Sequence, residues 1–296
     1  MLVENGLCSI QKELGEGAIS LTGKIYPRQY TKVGDEAVAM TCVSGCPAVN
    51  ELLMKETGGL ELIEDEYDGK NKFINVGAFT QVVSKGWKAY PYYWDMITAM
   101  INILQDRSFT LSQRLFILGF YSNKADEYLE HSPEKLPSLT ASMADRSLCE
   151  SLAQKMNESV NERQAAGINI LLLSRIEQEY EKIQPFSAEL FAKTTTALSL
   201  KAEGDEIECD NNSYKSIIEK YRAIEDEKAY FIENLLVNEL FHLDLSQGVW
   251  GSFVELLVFY CVSRLLLPTL VPEDYKDEDI ALAASVASRL LCVGNV

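Results

Sequence analysis

The sequence predicts an all-α fold: an irregular multi-helix bundle preceded by a short cysteine-containing arm. Three observations predict it. Apolar residues recur at three- and four-residue spacing, as in Ile97, Ile101 and Leu104, or Ile232, Leu235, Leu236 and Leu240. Prolines, glycines and capping residues cut these stripes into lengths of ordinary helices. Two-residue alternation shows only as a weak run over Ala37–Thr41. The chain has 296 residues, 47% of them hydrophobic, which allows one large domain or two ordinary ones with a real core. There are no repeats and no low-complexity tracts. We divide it into an arm over 1–58 and a helical domain over 59–296, with an internal linker expected at 130–139, where two prolines fall.

Taken in order, Gly6–Leu14 forms a short helix on Ile10 and Leu14, stopped by Gly15 and Gly17. Pro47 opens the next, since its missing N–H costs nothing at the first helical position. Val49, Leu52 and Leu53 form its apolar face, and Gly58-Gly59 ends it. Phe73–Lys85 reads as helix or extended chain. Trp94, Ile97, Ile101 and Leu104 mark a helix that Asp106-Arg107 interrupts. Ser108 or Thr110 caps its successor, which carries Leu111, Leu115 and Leu118. Leu148–Met156 and Val160–Ile183 read as amphipathic helices, the second ended by Pro185. Phe186–Leu200 follows as helix, then an acidic loop over Glu203–Asn212, then helices over Tyr214–Glu227 and Lys228–Leu243. Val249–Leu267 is apolar nearly all round, which predicts a central helix closed by Pro268 and Pro272. Glu278–Cys292 is a last amphipathic helix, with Asp277 and Asp279 at its positive end.

Composition excludes some functions. The net charge is −17, from 44 acidic against 27 basic residues. A surface that neutralises phosphates needs the opposite sign, so neither nucleic acid nor anionic lipid is expected as a partner. The acidic balance favours solubility or a basic partner. Val249–Val271 is interrupted by Glu255, Arg264 and Pro268, so no membrane span is expected. Met1–Gly6 has neither a basic nor an apolar signal region, and seven cysteines over so long a chain do not read as a disulfide scaffold. A cytoplasmic setting with free or metal-bound thiols is therefore expected.

Several residue groups are candidates for chemistry. Cys42-Val-Ser-Gly-Cys46 is a C-x3-C pair, and soft thiolates select zinc or iron–sulfur, which usually take four ligands. Cys8 is a third candidate ligand; free, partly buried thiols are the plainer reading. Cys261 and Cys292 sit on packing faces. His131 and His242 read as structural. Arg28, after Tyr26-Pro27, either grips a carboxylate or phosphate bidentately or pairs with a local acid. Asn234 and Asn238 share one helix face, either bonding a neighbouring element or lining a site. Trp87, Tyr90, Tyr92, Tyr93 and Trp94 form an aromatic group, suited to core packing or to a cation. Neither a nucleotide-binding glycine fingerprint nor a zinc-protease helix is present.

Three pieces of the first 54 residues carry a resemblance: GLCSIQKELGE with Cys8, the Ser-Leu-Thr-x-x-x-Tyr-Pro-Arg run, and Cys46-Pro before an apolar helix. Together they resemble the flagellin lysine-N-methylases, and FIENLLVNELF at 231–241 and the 87–121 region resemble later stretches of that family in the same order. Gly23 stands where the family has cysteine. The chain starts close to Cys8, so the family's upstream cysteine-rich segment is expected to be missing.

The resemblance implies a lysine N-methyltransferase acting on flagellin with S-adenosylmethionine, truncated or degenerate here. It makes Cys8 and Cys46 remnant ligands of an iron–sulfur cluster that is incomplete, with Cys42 a weaker candidate. It makes Tyr26, Arg28, Asn234 and Asn238 candidates for substrate binding. The alternative is a non-catalytic helical scaffold or interaction protein without its cluster. A homo-oligomer stays open.

Overall fold

The computed structural model describes residues 9–66, 77, 79–159, 166–170, 172–173, 185–203 and 206–292. Cys8 and most of the predicted helix at 160–183 lie outside them. The chain is mostly helical, as predicted, and divides into two compact units: 1–43 with 63–83, and 44–62 with 84–296. The boundary expected at residue 58 differs from this division, because the helix opened by Pro47 packs within the larger unit.

The smaller unit holds α1 (Ser9–Leu14), α2 (Leu21–Ile25) and a three-stranded sheet of β1 (Arg28–Val33), β2 (Ala37–Cys42) and β3 (Gln81–Val83). Ser20 caps α2 by accepting the Gly23 N–H at 3.1 Å. The Tyr26–Pro27 bond is cis. Strands β1 and β2 pair antiparallel, Arg28 opposite Cys42 and Val33 opposite Ala37. Gly34, at φ +61°, makes the turn between them, a conformation that glycine adopts freely. Strand β3 pairs parallel to β1, Thr31 opposite Gln81. The weak run at Ala37–Thr41 is thus part of a three-stranded sheet, and within 73–85 the extended alternative holds at β3. Tyr30, Thr31 and Val33 are buried on β1, aromatic and β-branched residues that suit a pleated surface. Within 73–85, Gln81–Val83 is extended.

The larger unit contains α3 (Pro47–Lys55), α4 (Tyr93–Gln105), α5 (Leu111–His131), α6 (Leu136–Ser142), α7 (Arg146–Ser159), α8 (Pro185–Ala197), α9 (Asn211–Glu227), α10 (Ala229–Leu240), α11 (Val249–Leu270) and α12 (Asp277–Cys292). Thr110 starts α5 with a capping box, accepting the Gln113 N–H while the Gln113 side chain accepts the Thr110 N–H. Residues 130–139 are not an open linker. They are the end of α5, a 3₁₀ turn at Pro133–Lys135 and the start of α6, with Leu136 fully buried. The expected loop at 203–212 includes one side of a small hairpin, β4 (Lys201–Glu203) against β5 (Glu206–Glu208).

Helix α11 packs on α5, α8, α9 and α12. It is long and apolar enough to cross a membrane by length and composition, but more than half of its apolar window is buried within the protein. It runs through Pro268 instead of stopping there, and Thr269 anchors its last turn by donating to the Leu265 or Leu266 carbonyl. At the crossing of α5 and α11, a Cβ on Gly119 would stand 2.8 Å from the Phe253 ring, so the close approach requires glycine.

Helix α10 is buried over nearly its whole length and packs on α3, α4, α9 and α11. All residues from Phe231 to Leu240 are buried, including Glu233, Asn234, Asn238 and Glu239. Each polar group there faces the interior and needs a partner.

Candidate functional site

Glu233, Asn234 and Glu239 on α10 find partners in remote segments. Glu233 binds Arg107 and Arg114. The Asn234 amide donates to the Leu53 and Glu56 carbonyls at the end of α3, at 3.0 and 2.6 Å. Ser44 donates to the Glu239 carboxylate. Asn238 lies 3.5 Å from His242, just beyond the helix end. Asn50 donates to the Ser44 and Ala281 carbonyls, and Arg289 donates to that of Gly45. The Ser-Gly-Cys-Pro turn is thereby fastened between α10 and α12, with Cys46 at the start of α3.

The other predicted residues are scattered. Cys42 ends β2 in the smaller unit, whereas Cys46 belongs to the larger; neither is in a disulfide. Among the described residues, no group of three or more His, Cys, Asp or Glu could hold a metal. Tyr26 and Arg28 are exposed beside the start of β1. The aromatic group is partly packed, with Tyr93 edge-on to Trp87 and Trp94 at 6.4 and 5.0 Å between centroids. His131 is exposed at the end of α5 near Glu130. Burial pushes the Cys261 thiol up, with nearby Arg264 opposing, as suits a packing residue.

A cleft of about 410 Å³ opens elsewhere in the larger unit, between α4, α6 and α7. Asp95, Thr98, Asn102 and Asp106 line one wall, spaced three and four apart on one face of α4 and its cap. Thr140, Arg146 and Cys149 line the opposite side, and Ala99, Ile103, Phe109 and Ile117 add apolar surface. Asp106 is already engaged: its carboxylate accepts from the Ser108 N–H and hydroxyl and lies 3.9 Å from Arg146. Arg146 is held by Glu150 at 2.9 Å and lies 4.5 Å over the Phe109 ring. The Cys149 thiol donates to the Met143 carbonyl, and burial, with the Asp106 and Asp145 charges, raises its pKa and keeps it neutral.

Sequence reading missed this cleft because it followed only the apolar residues of α4. The Asp95-x2-Thr98-x3-Asn102-x3-Asp106 ladder was visible at helical spacing. Its opposing wall was not.

Behind the cleft, the Tyr121 hydroxyl lies 3.0 Å from that of Thr140. Burial pushes Tyr121 up to about 12, with Asp95 adding to the shift; Tyr93 is likewise raised to about 12 by burial, then by Asp244. A raised folded-state pKa means stability is fully present below the ordinary tyrosine value near 10 and is lost as pH climbs through about 12. Thermal melts across that window, followed with tyrosinate absorbance, should show falling stability with both rings ionising late. A melting temperature flat to pH 12 would contradict this.

Residues 98–291 match the family model of the FliB lysine N-methylase C-terminal domain. No curated protein and no solved structure matches the chain. The match runs from Thr98 on α4 into α12, so it takes in nearly all of the cleft and the whole of α10, while the arm lies outside it. It covers well over half of the chain, and the protein therefore belongs to the FliB lysine N-methylase C-terminal domain family.

Proposed function

We propose that this protein is a protein-lysine N-methyltransferase that acts on flagellin, with S-adenosylmethionine as methyl donor. The observation that carries the reading is the family match over 98–291. The cleft supports it: a concave site of about 410 Å³ with two carboxylates, polar groups and an apolar side is of the size and mixed character that small ligands or single side chains occupy.

In the reaction, the lone pair of a neutral lysine ε-amine attacks the donor's methyl carbon. The carbon–nitrogen bond forms as the carbon–sulfur bond breaks, its electron pair passing to sulfur to give S-adenosylhomocysteine. The proton on nitrogen leaves to water or a carboxylate.

The arm's own residues do not make up the ligand set of an iron–sulfur cluster. A cluster takes four thiolates, and the arm supplies Cys8, Cys42 and Cys46. At Gly23, the matching fourth position, even a Cβ would stand 2.7 Å from Ile19, which would have to shift. This deficit favours the second reading, a helical scaffold that binds its partner without catalysis.

The purified chain, incubated with flagellin and methyl-labelled S-adenosylmethionine, should place label on flagellin lysines, read by mass spectrometry. Flagellin binding without transfer would establish the scaffold reading instead.

A further inference from the structure

We propose that the cleft between α4, α6 and α7 receives the acceptor lysine side chain, with Asp95 binding its ε-ammonium; this rests on the methylase reading above. Charge is the first argument. Two carboxylates and one guanidinium line the cleft. Asp106 is engaged by Ser108 and lies near Arg146, whereas among the described residues no cation pairs with Asp95. A cation entering the cleft meets one uncompensated carboxylate.

Shape is the second argument. Ala99, Ile103 and Ile117 offer the apolar surface that a four-carbon stem covers while its charged end stays at a polar group. A purine is poorly served there. Phe109 is buried, and the Arg146 guanidinium already lies over its ring, so the face on which a base would stack is taken. The aromatic partner is absent for a nucleoside, and the cleft suits the amine better than the adenosyl donor.

Asp95 stabilises the charged amine, so its role is recognition and not deprotonation. The cleft is open, and the proton passes to water before the amine attacks. Asp95 is itself exposed in the first turn of α4, where its replacement removes only a modest interaction with the helix dipole.

The test is equilibrium binding of native and lysine-acetylated flagellin to the full chain, alongside S-adenosylmethionine binding and methyl transfer. Asp95→Asn should weaken native flagellin by about tenfold or more, as expected for losing a charge-assisted hydrogen bond. Asp95→Glu should retain most of the affinity. Acetylated flagellin should bind wild type as weakly as native flagellin binds Asp95→Asn, with no further loss when both changes are combined. S-adenosylmethionine affinity should not move.

The inference is overturned if Asp95→Asn binds native flagellin like wild type, if it loses the methyl donor instead, or if wild type fails to prefer native over acetylated flagellin. Methyl transfer by wild type with an unchanged KM in Asp95→Asn sinks the cleft assignment and leaves the methylase reading standing. Weakened binding in Asp95→Asn with no transfer by wild type does the reverse. Circular dichroism and thermal melting establish that each variant is folded.

Discussion

Glu233→Ala is expected to cost about 3–5 kcal/mol of folding free energy, the largest effect of any single polar substitution considered for this protein. Glu233 is 1% exposed on α10. Arg107 Nε reaches both of its oxygens, at 3.1 and 3.0 Å, and Arg107 Nη2 reaches Oε1 at 2.8 Å. Arg114 Nη1 donates to Oε2 at 2.6 Å and also to the Leu104 carbonyl. The two arginines respond differently to loss of the carboxylate. Arg107 is partly exposed and also bonds the Thr57 carbonyl, so water can solvate it. The Arg114 side chain is only 6% exposed, and its charge would be stranded in the interior. Most of the cost is therefore the desolvated, unpaired Arg114 charge.

Arg114→Met with Glu233→Met removes both charges and fills similar volume, so it should unfold at a urea concentration nearer wild type than either single charge deletion does. Urea unfolding of all four proteins checks this. A double variant as unstable as Glu233→Ala would mean that the carboxylate organises α10 through something other than these arginines.

The helix starts were legible where capping or first-turn residues mark them: Pro47 at the head of α3, Thr110, offered beside Ser108, at α5, and Asp277 with Asp279 at α12. The character of α10 was not. Asn234 and Asn238 were expected to bond a neighbouring element or line a site beside one apolar face, yet the structure buries the whole run from Phe231 to Leu240, Glu233 and Glu239 included. The partners that make this tolerable, Arg107, Arg114, Leu53 and Ser44, lie between 119 and 195 residues away from their α10 partners along the chain. Periodicity is a local signal and carries nothing about them. The pairing of β1 with β3 failed for the same reason, since their strands are about fifty residues apart and β3 is too short to show alternation. The cleft was half legible. Its α4 ladder is local, but the wall it faces comes from Thr140 to Cys149, brought there by a turn that the sequence presented as a linker.

Asn234→Ala is expected to lower stability by about 2–4 kcal/mol, through the lost hydrogen bonds and the space left behind. The last carbonyls of a helix have no partner within the helix. Asn234 serves two of those of α3, with its amide at 3.0 Å from Leu53 O and 2.6 Å from Glu56 O, and is itself fully buried. Asn234→Asp sharpens the test. It keeps the size of the side chain but turns the donor towards two carbonyls into an acceptor, so it should be at least as harmful as alanine. Asn234 lies in the stretch that resembles the methylases, where a substrate-binding role is the competing explanation. The two roles separate in the measurements. A residue that fastens α10 to α3 shifts the melting temperature and leaves the KM for flagellin unchanged at temperatures where the variant is folded. A residue that touches substrate raises KM and leaves the melt alone. Because Asn234 does not line the cleft and its amide is committed to α3, the first outcome is expected. A tenfold rise in KM with an unaltered melt would return Asn234 to the binding site and place that site at the junction of α3 and α10.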